Sequence, residues 1–206
     1  MTPATIVAAP RSSMACSRRA HGSRTASVVM TRAALIILLG YLLVHLTQHT
    51  LAPHFHFGEE HHHVTKVVSF SALAGLMLHT FVDGVAIASG FGVSSAVGLL
   101  VFFAILLHKL PEGLAISSLF LASGETRKAA FGASAALAVS TLLGALLTQT
   151  LPILSQYGLP LAAGVSLYVG ASNLVPEFQG KREWRLPISF FVGCALYYIA
   201  RRLLGA

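Results

Sequence analysis

Six apolar segments, each close to the length that a helix needs to cross a bilayer, follow one another after residue 32. A transmembrane helix takes about 20 mostly apolar residues, and the connections between these segments are too short to hold a soluble domain. Charged residues make up only 10% of the chain, well below the roughly 25% that is usual in soluble domains. The sequence therefore predicts an all-α fold, a polytopic transmembrane helical bundle. The predicted spans, which together form one domain over 33–206, are 33–52, 67–91, 96–122, 129–151, 158–176 and 186–205.

The net charge of +7 does not indicate a nucleic-acid-binding protein. Five of the fourteen basic residues lie in the N-terminal tail, residues 1–32, and most of the others lie in short loops, where they set membrane topology. The tail is polar, basic and without acidic residues, and we expect it to be disordered. Its composition is equally typical of an organelle transit peptide and of a mis-started or truncated chain. The two cysteines, Cys16 and Cys194, lie in unrelated segments and imply no disulfide framework.

Basic residues beside the spans predict the orientation of the bundle. Because cytoplasmic loops are enriched in Lys and Arg, the more basic side is expected to be cytoplasmic. The residues on that side are Lys66, Arg127, Lys128, Lys181, Arg182 and Arg185. Four arginines on the opposite face argue against this orientation, namely Arg24, Arg32, Arg201 and Arg202.

The loop over 53–66 is rich in histidine and also carries two glutamates. Such a composition attracts metal ions, although nothing in the loop sequence preorganises a site, so we expect weak capture; a solvated polar loop is the alternative. The residues expected to capture metal are His54, His56, His61, His62 and His63.

Two consecutive spans carry the same pair of ionisable residues, a histidine followed four residues later by a carboxylate. The pairs are His79 with Asp83 and His108 with Glu112. Residues four apart lie on the same face of a helix, so each helix offers one nitrogen and one oxygen ligand. Such a set suits zinc and neighbouring divalent metals rather than magnesium or calcium. Hydrogen bonds that join the two helices without a metal are the alternative.

Four further polar residues are candidates for an ion pathway through the membrane. His45 and His49 lie four residues apart near the end of the first span, and Asn173 and Glu177 lie one turn apart at the end of the fifth. Packing at the membrane interface, or a carboxylate at a helix end, is the alternative for each pair.

The sequences His79-Thr-Phe-Val-Asp83-Gly and His108-Lys-Leu-Pro-Glu112-Gly, preceded by a histidine-rich loop, resemble the signature of the ZIP metal transporters. The resemblance implies that the six spans match the third to eighth helices of that eight-helix fold, without counterparts of the first two in residues 1–32. It also implies that residues at the positions of Thr80 and Lys109 modulate the site. The family's second metal uses polar or acidic residues there, and because Lys109 is cationic, we predict a single bound ion.

Together with the single ion predicted from Lys109, this resemblance implies a transporter that moves zinc into the cytoplasm through a mononuclear His/carboxylate site, with Mn²⁺, Fe²⁺ or Cd²⁺ as other substrates. The expected partners are these ions, the lipid bilayer and a second copy of the chain as a candidate homodimer, with no nucleic acid and no organic cofactor. Both plasma and organelle membranes fit an integral multi-pass protein.

The main alternative is a truncated metal-binding membrane protein without transport. An intramembrane zinc hydrolase is disfavoured, because both carboxylates are used as ligands and no His-Glu-x-x-His motif occurs, so we predict no enzymatic activity. Bis-histidine haem ligation is disfavoured by the carboxylates beside His79 and His108.

Overall fold

The computed structural model describes the backbone of residues 12–51, 65–174 and 184–205, and side chains within 27–47, 65–172, 184–185 and 187–205. All the regular structure in these ranges is helical, which confirms the predicted all-α class. The elements are α1 (Ser12–Leu51), α2 (Lys66–Val93), α3 (Ser95–Ala122), α4 (Arg127–Thr150), α5 (Pro152–Tyr168), a π-helical turn (Val169–Leu174) that continues α5, and α6 (Arg185–Leu204).

Within the described ranges, five helices are long and apolar enough to cross a membrane, against six predicted spans. They are Ser27–Thr47, Lys66–Val93, Ser95–Ala122, Arg127–Thr150 and Pro187–Leu204. The remaining predicted span, 158–176, corresponds to α5 and its π-helical turn, and α5 alone has only 17 residues. Large apolar side chains point outward on these helices, and Leu110 is 77% exposed, as expected of residues that face lipid.

Internal contacts divide the chain into two units, Met1–Leu35 and Ile36–Ala206. In the first unit α1 already begins at Ser12, whereas the sequence predicts a disordered tail through residue 32. The helical part of this unit contains no proline and is rich in alanine and arginine, which have high helix propensity. Thr31 Oγ1 donates a hydrogen bond to the Ser27 carbonyl at 2.9 Å, and the described side chains are exposed or half-buried.

Three helices in the second unit are capped at their N-termini by a hydroxyl side chain. Thr65, Ser94 and Thr126 each accept a hydrogen bond from a backbone N–H in the first turn of α2, α3 and α4 respectively. These caps satisfy N–H groups that have no partner inside the helix. Ser94 also ends α2, so one residue joins α2 to α3. Lys66 at the start of α2 forms a 2.8 Å ion pair with Glu125, just after α3, which shows that the two helices run antiparallel.

Glycines bring two pairs of helices into close contact in the second unit. A Cβ added to Gly84 of α2 would overlap the Thr141 carbonyl of α4, and one added to Gly144 of α4 would overlap the Phe81 carbonyl of α2. Gly40 of α1 and Gly164 of α5 approach each other's helices in the same reciprocal way. In lipid, where no hydrophobic force drives helices together, such contacts supply the packing energy.

Helix α2 packs against α3, α4 and α5 and is the central helix of the second unit. Two apolar clusters flank it. The first cluster joins α1, α2, α3 and α5 through Val44, Val82, Ala86, Ile105, Ala162, Val165 and Tyr168. The second joins α3 to α4 through Ile116, Phe120, Ala130, Ala133 and Leu137, with Leu73 and Leu76 of α2 packed against it.

Candidate metal centre

The residues of the paired motif lie where α2 and α3 meet. On α3, His108 and Glu112 lie between Ile105 of the first apolar cluster and Ile116 of the second. Along the axis of α3, one apolar cluster thus precedes the segment that carries these ionisable side chains and the other follows it. Pro111 lies inside α3, and the helix nevertheless continues from Ser95 to Ala122.

Three of the four predicted ligands form a compact cluster. One ligand atom from each of His79, Asp83 and His108 lies within 4.8 Å of the others. Asp83 Oδ2 is 3.2 Å from His108 Nε2 and 3.7 Å from His79 Nε2. In a tetrahedral zinc site with bonds of about 2.1 Å, neighbouring ligand atoms are about 3.4 Å apart. The two measured separations are therefore close to those that a zinc ion requires.

Asp83 is the centre of this cluster and is only 6% exposed. The histidine side chains differ in burial, with His79 20% exposed and His108 45% exposed. His108 Nδ1 is 3.1 Å from the Ala104 carbonyl. Because a carbonyl only accepts hydrogen bonds, Nδ1 can donate to it, and Nε2 is the ring nitrogen that faces Asp83 and the rest of the cluster.

The fourth predicted ligand, Glu112, is joined to the cluster through Lys109. Lys109 Nζ donates to Glu112 Oε2 at 2.8 Å and to Asp83 Oδ2 at 2.7 Å. Lys109 and Glu112 are three residues apart on α3, whereas Asp83 lies on the neighbouring helix α2. Only the packing of α2 against α3 brings Lys109 and Asp83 together.

Two buried side-chain atoms in the described part of the chain have no hydrogen-bond partner, and both belong to predicted ligands. They are Glu112 Oε1 and His79 Nδ1. A buried carboxylate oxygen without a partner is costly, and a divalent cation between the helices would satisfy it. Two imidazoles and two carboxylates are also a donor set that zinc accepts. The residues present therefore fit a divalent metal ion.

Thr80, predicted to modulate the site, is fully buried. Its hydroxyl donates to the Met77 carbonyl at 3.1 Å, and Ser140 of α4 donates to the same carbonyl at 2.7 Å. Thr80 thus lies beside the contact between α2 and α4, one residue after His79. Its predicted role as a modulator of the site stays a prediction.

Most of the predicted accessory residues fall outside the described part of the chain. The ring of His45 packs edge-on against Tyr168 at 5.7 Å, and Tyr168 packs in the same manner against Tyr41 at 5.0 Å. The residues whose side chains lie outside the description are His49, His54, His56, His61, His62, His63, Asn173 and Glu177. Asn173 belongs to the π-helical turn, and such turns are frequent at functional sites.

A polar cluster that the motifs did not indicate lies one turn beyond Glu112. Ser117 of α3 and Ser134 of α4 have their hydroxyl oxygens 2.6 Å apart, and these oxygens lie 2.8 and 3.0 Å from the Gly113 carbonyl oxygen, so one hydroxyl donates to the other and the second donates to the carbonyl. Serine in a membrane helix commonly forms a hydrogen bond with a nearby backbone carbonyl, which the sequence alone suggests. The contact between Ser117 and its partner on α4 became evident only from the structure.

The chain is similar to known proteins of one family. The family model described as ZIP zinc transporter matches residues 56–199, more than half of the chain. The protein named zinc transporter ZIP13 of Pongo abelii is 30% identical over 142 residues, which cover 64% of this chain and 42% of that protein. The protein of the same name from Rattus norvegicus is 34% identical over 132 residues, which cover 59% of this chain and 36% of that protein.

The chain thus spans less than half the length of these two relatives. No solved structure matches it. The family match covers both halves of the paired motif and extends from α2 into α6. Its apolar helices are those of an integral membrane protein, and the chain belongs to the ZIP zinc transporter family.

Proposed function

We propose that this protein carries divalent transition-metal ions, zinc foremost, across a membrane into the cytoplasm. One ion at a time binds to His79, Asp83, His108 and Glu112, and the site is exposed to the two sides of the membrane in turn. Membership of a family of zinc transporters supports zinc as the substrate. The same donor set accepts Mn²⁺, Fe²⁺ and Cd²⁺, which we propose as competing substrates.

The observation that carries this proposal is the convergence of the ligand atoms of His79, Asp83 and His108 within 4.8 Å. Ionisable groups at the centre of a membrane cost about 2.5–3.5 kcal/mol each, so a cluster of them marks an ion site or pathway. Glu112 Oε1, which is buried without a hydrogen-bond partner, offers a further oxygen to a metal ion bound at the cluster. Lys109 supplies the positive charge that favours one ion over two, because it repels a second cation beside the first.

The accessory residues extend this proposal to capture and passage of the ion. The histidines of the loop over 53–66 would raise the local metal concentration, and His45, His49, Asn173 and Glu177 would line the way to and from the site. A second copy of the chain is the candidate protein partner, and cross-linking of the protein in vesicles would detect the dimer.

Zinc uptake into vesicles tests the function directly. The full-length protein is reconstituted with a zinc-sensitive dye inside, and uptake is compared for the wild type, His79→Ala and Asp83→Asn. Glu125→Gln is the matched control, because Glu125 is a carboxylate in an ion pair with Lys66, outside the cluster. We expect both ligand variants to lose at least about tenfold in uptake rate, and the control to keep the wild-type rate.

Wild-type uptake by His79→Ala would overturn the proposed site. If the wild type binds zinc to the four residues yet moves none across the membrane, the protein is instead a metal-binding membrane protein without transport, the alternative raised by the sequence.

A further inference from the structure

Lys109 lies among the ligands and bonds to both carboxylates of the candidate site. Its ammonium is 2.7 Å from Asp83 Oδ2 on α2 and 2.8 Å from Glu112 Oε2 on its own helix α3. Its side chain is largely buried, as are both carboxylates. In the described part of the chain, the Lys109 ammonium thus lies between two of the four proposed ligands, Asp83 and Glu112.

We propose that Lys109 is a tethered competitor of the metal. Its ammonium holds Asp83 and Glu112 together when no ion is bound, and an incoming divalent ion displaces it from the carboxylates. This inference rests on the proposed function, since it concerns the same four ligands.

The geometry makes the two cations exclusive. Asp83 Oδ2 faces the ring nitrogens of His79 and His108 at 3.7 and 3.2 Å, and Lys109 Nζ is closer than either. A metal bound by these nitrogens and this oxygen would lie only a few ångströms from the ammonium, where two positive charges repel strongly in a medium of low dielectric constant. The ammonium must therefore leave the oxygen that the metal takes.

At Glu112 the competition concerns one of the two carboxylate oxygens. Oε2 accepts the hydrogen bond from Lys109, whereas Oε1 is buried without a partner. The carboxylate thus already has one oxygen directed to a cation and one available for another. When the ammonium leaves, both oxygens are free to bind the ion.

A tethered competitor has a clear consequence for a carrier. Without a cation, the two carboxylates would repel each other inside the membrane, so Lys109 stabilises the metal-free site. The attached ammonium also competes at the high effective concentration of an intramolecular group, which weakens metal binding. Weaker binding favours release of the ion, so Lys109 lowers the affinity for zinc and raises the rate of transport.

Zinc titration of the purified full-length protein in lipid nanodiscs tests this inference. Lys109→Met removes the charge and keeps a long side chain, Lys109→Arg keeps the charge, and Lys128→Met is the control, because Lys128 is exposed at the start of α4. We expect Lys109→Met to bind zinc about tenfold more tightly, because the competitor at millimolar effective concentration is gone. Lys109→Arg and Lys128→Met should stay near the wild-type affinity.

Uptake kinetics separate this role from a structural one. In vesicles, Lys109→Met should lower both the KM for zinc and the maximal rate, whereas a merely structural lysine would lower the maximal rate without tightening binding. Unchanged or weaker zinc binding by Lys109→Met overturns the inference and leaves the proposed function standing. Absence of zinc binding in both the wild type and the variant overturns the two together.

A measurement on the wild type keeps the test decisive if Lys109→Met does not fold. The protein is treated with a small amine-acylating reagent, with and without zinc, and the modified lysines are identified by mass spectrometry. We expect zinc to increase acylation of Lys109 severalfold, because the displaced ammonium loses its two partners, with no change at Lys66 and Lys128. Equal or lower acylation of Lys109 in the presence of zinc would overturn the inference.

Discussion

Helices α2 and α3 carry the same motif, a histidine four residues before a carboxylate that a glycine follows, yet their surroundings differ. Asp83 of α2 is 6% exposed, and α2 packs against three other helices. On α3 the side chain of His108 is 45% exposed, and the neighbouring Leu107, Leu110 and Leu114 point outward. Equal spacing thus gives both helices the same types of ligand, whereas tertiary packing makes α2 the fixed half of the site and α3 the open half.

The largest expected effect separates the two carboxylates. Asp83→Asn should weaken zinc binding by more than about 100-fold, because Asp83 Oδ2 faces both histidines and Lys109. Glu112→Gln should weaken it by about tenfold, since Glu112 is joined to the cluster through Lys109. Calorimetric titration of both variants measures the two losses. Equal losses would show that the halves of the site contribute alike.

The glycines after the two carboxylates provide the next test, on stability rather than affinity. Gly84→Ala places a Cβ against the Thr141 backbone, which cannot move without separating α2 from α4, and should cost about 2 kcal/mol. Gly113→Ala meets open space and should raise stability by up to about 1 kcal/mol through its helix propensity. Unfolding in mixed detergent micelles gives both free energies. A similar change in both variants would mean that α3 is as tightly packed as α2.

Much of the site was predictable, because helical periodicity alone brings His79 and Asp83, and His108 and Glu112, onto common faces. The apolar runs also predicted α2, α3 and α4 to within a few residues of their observed bounds. From the sequence alone, the glycines after the two carboxylates, Gly84 and Gly113, are equally consistent with α2 and α3 closing around an ion and with ordinary helix packing. Gly84 instead faces α4, and a Cβ at Gly113 would meet open space.

Sequence alone could not reveal these differences, because Asp83-Gly84 and Glu112-Gly113 have nearly the same local chemistry and only the position of α4 separates them. The contact between Lys109 and Asp83 was hidden for the same reason, since 26 residues separate the two along the chain. The start of α1 at Ser12 was missed because the polar tail lacks an apolar period, although its alanines and arginines favour a helix.

A smaller effect is expected when an apolar side chain on each helix is shortened. Val85 of α2 is completely buried, so Val85→Ala should lower the free energy of unfolding by about 1–2 kcal/mol through lost packing contacts. Leu110 of α3 is 77% exposed, so Leu110→Ala should change it by less than about 0.5 kcal/mol. The same micelle assay measures both. A large loss at Leu110 would reveal that another surface covers this face of α3.

The smallest effect concerns the hydroxyl pair that ties the open half to α4. Ser117 and Ser134 lie 2.6 Å apart and share the Gly113 carbonyl, so each can lose its partner and still bond to that carbonyl. A double-mutant cycle with Ser117→Ala and Ser134→Ala should therefore give a coupling free energy of only about 0.6 kcal/mol, the average for hydrogen bonds between membrane helices. Because both hydroxyls lie beyond Glu112, zinc affinity should not change. A coupling free energy well above 1 kcal/mol would mean that polar contacts hold α3 as firmly as glycine packing holds α2. The two halves of the site would then differ in the kind of contact that holds each helix, and not in how rigidly each is held.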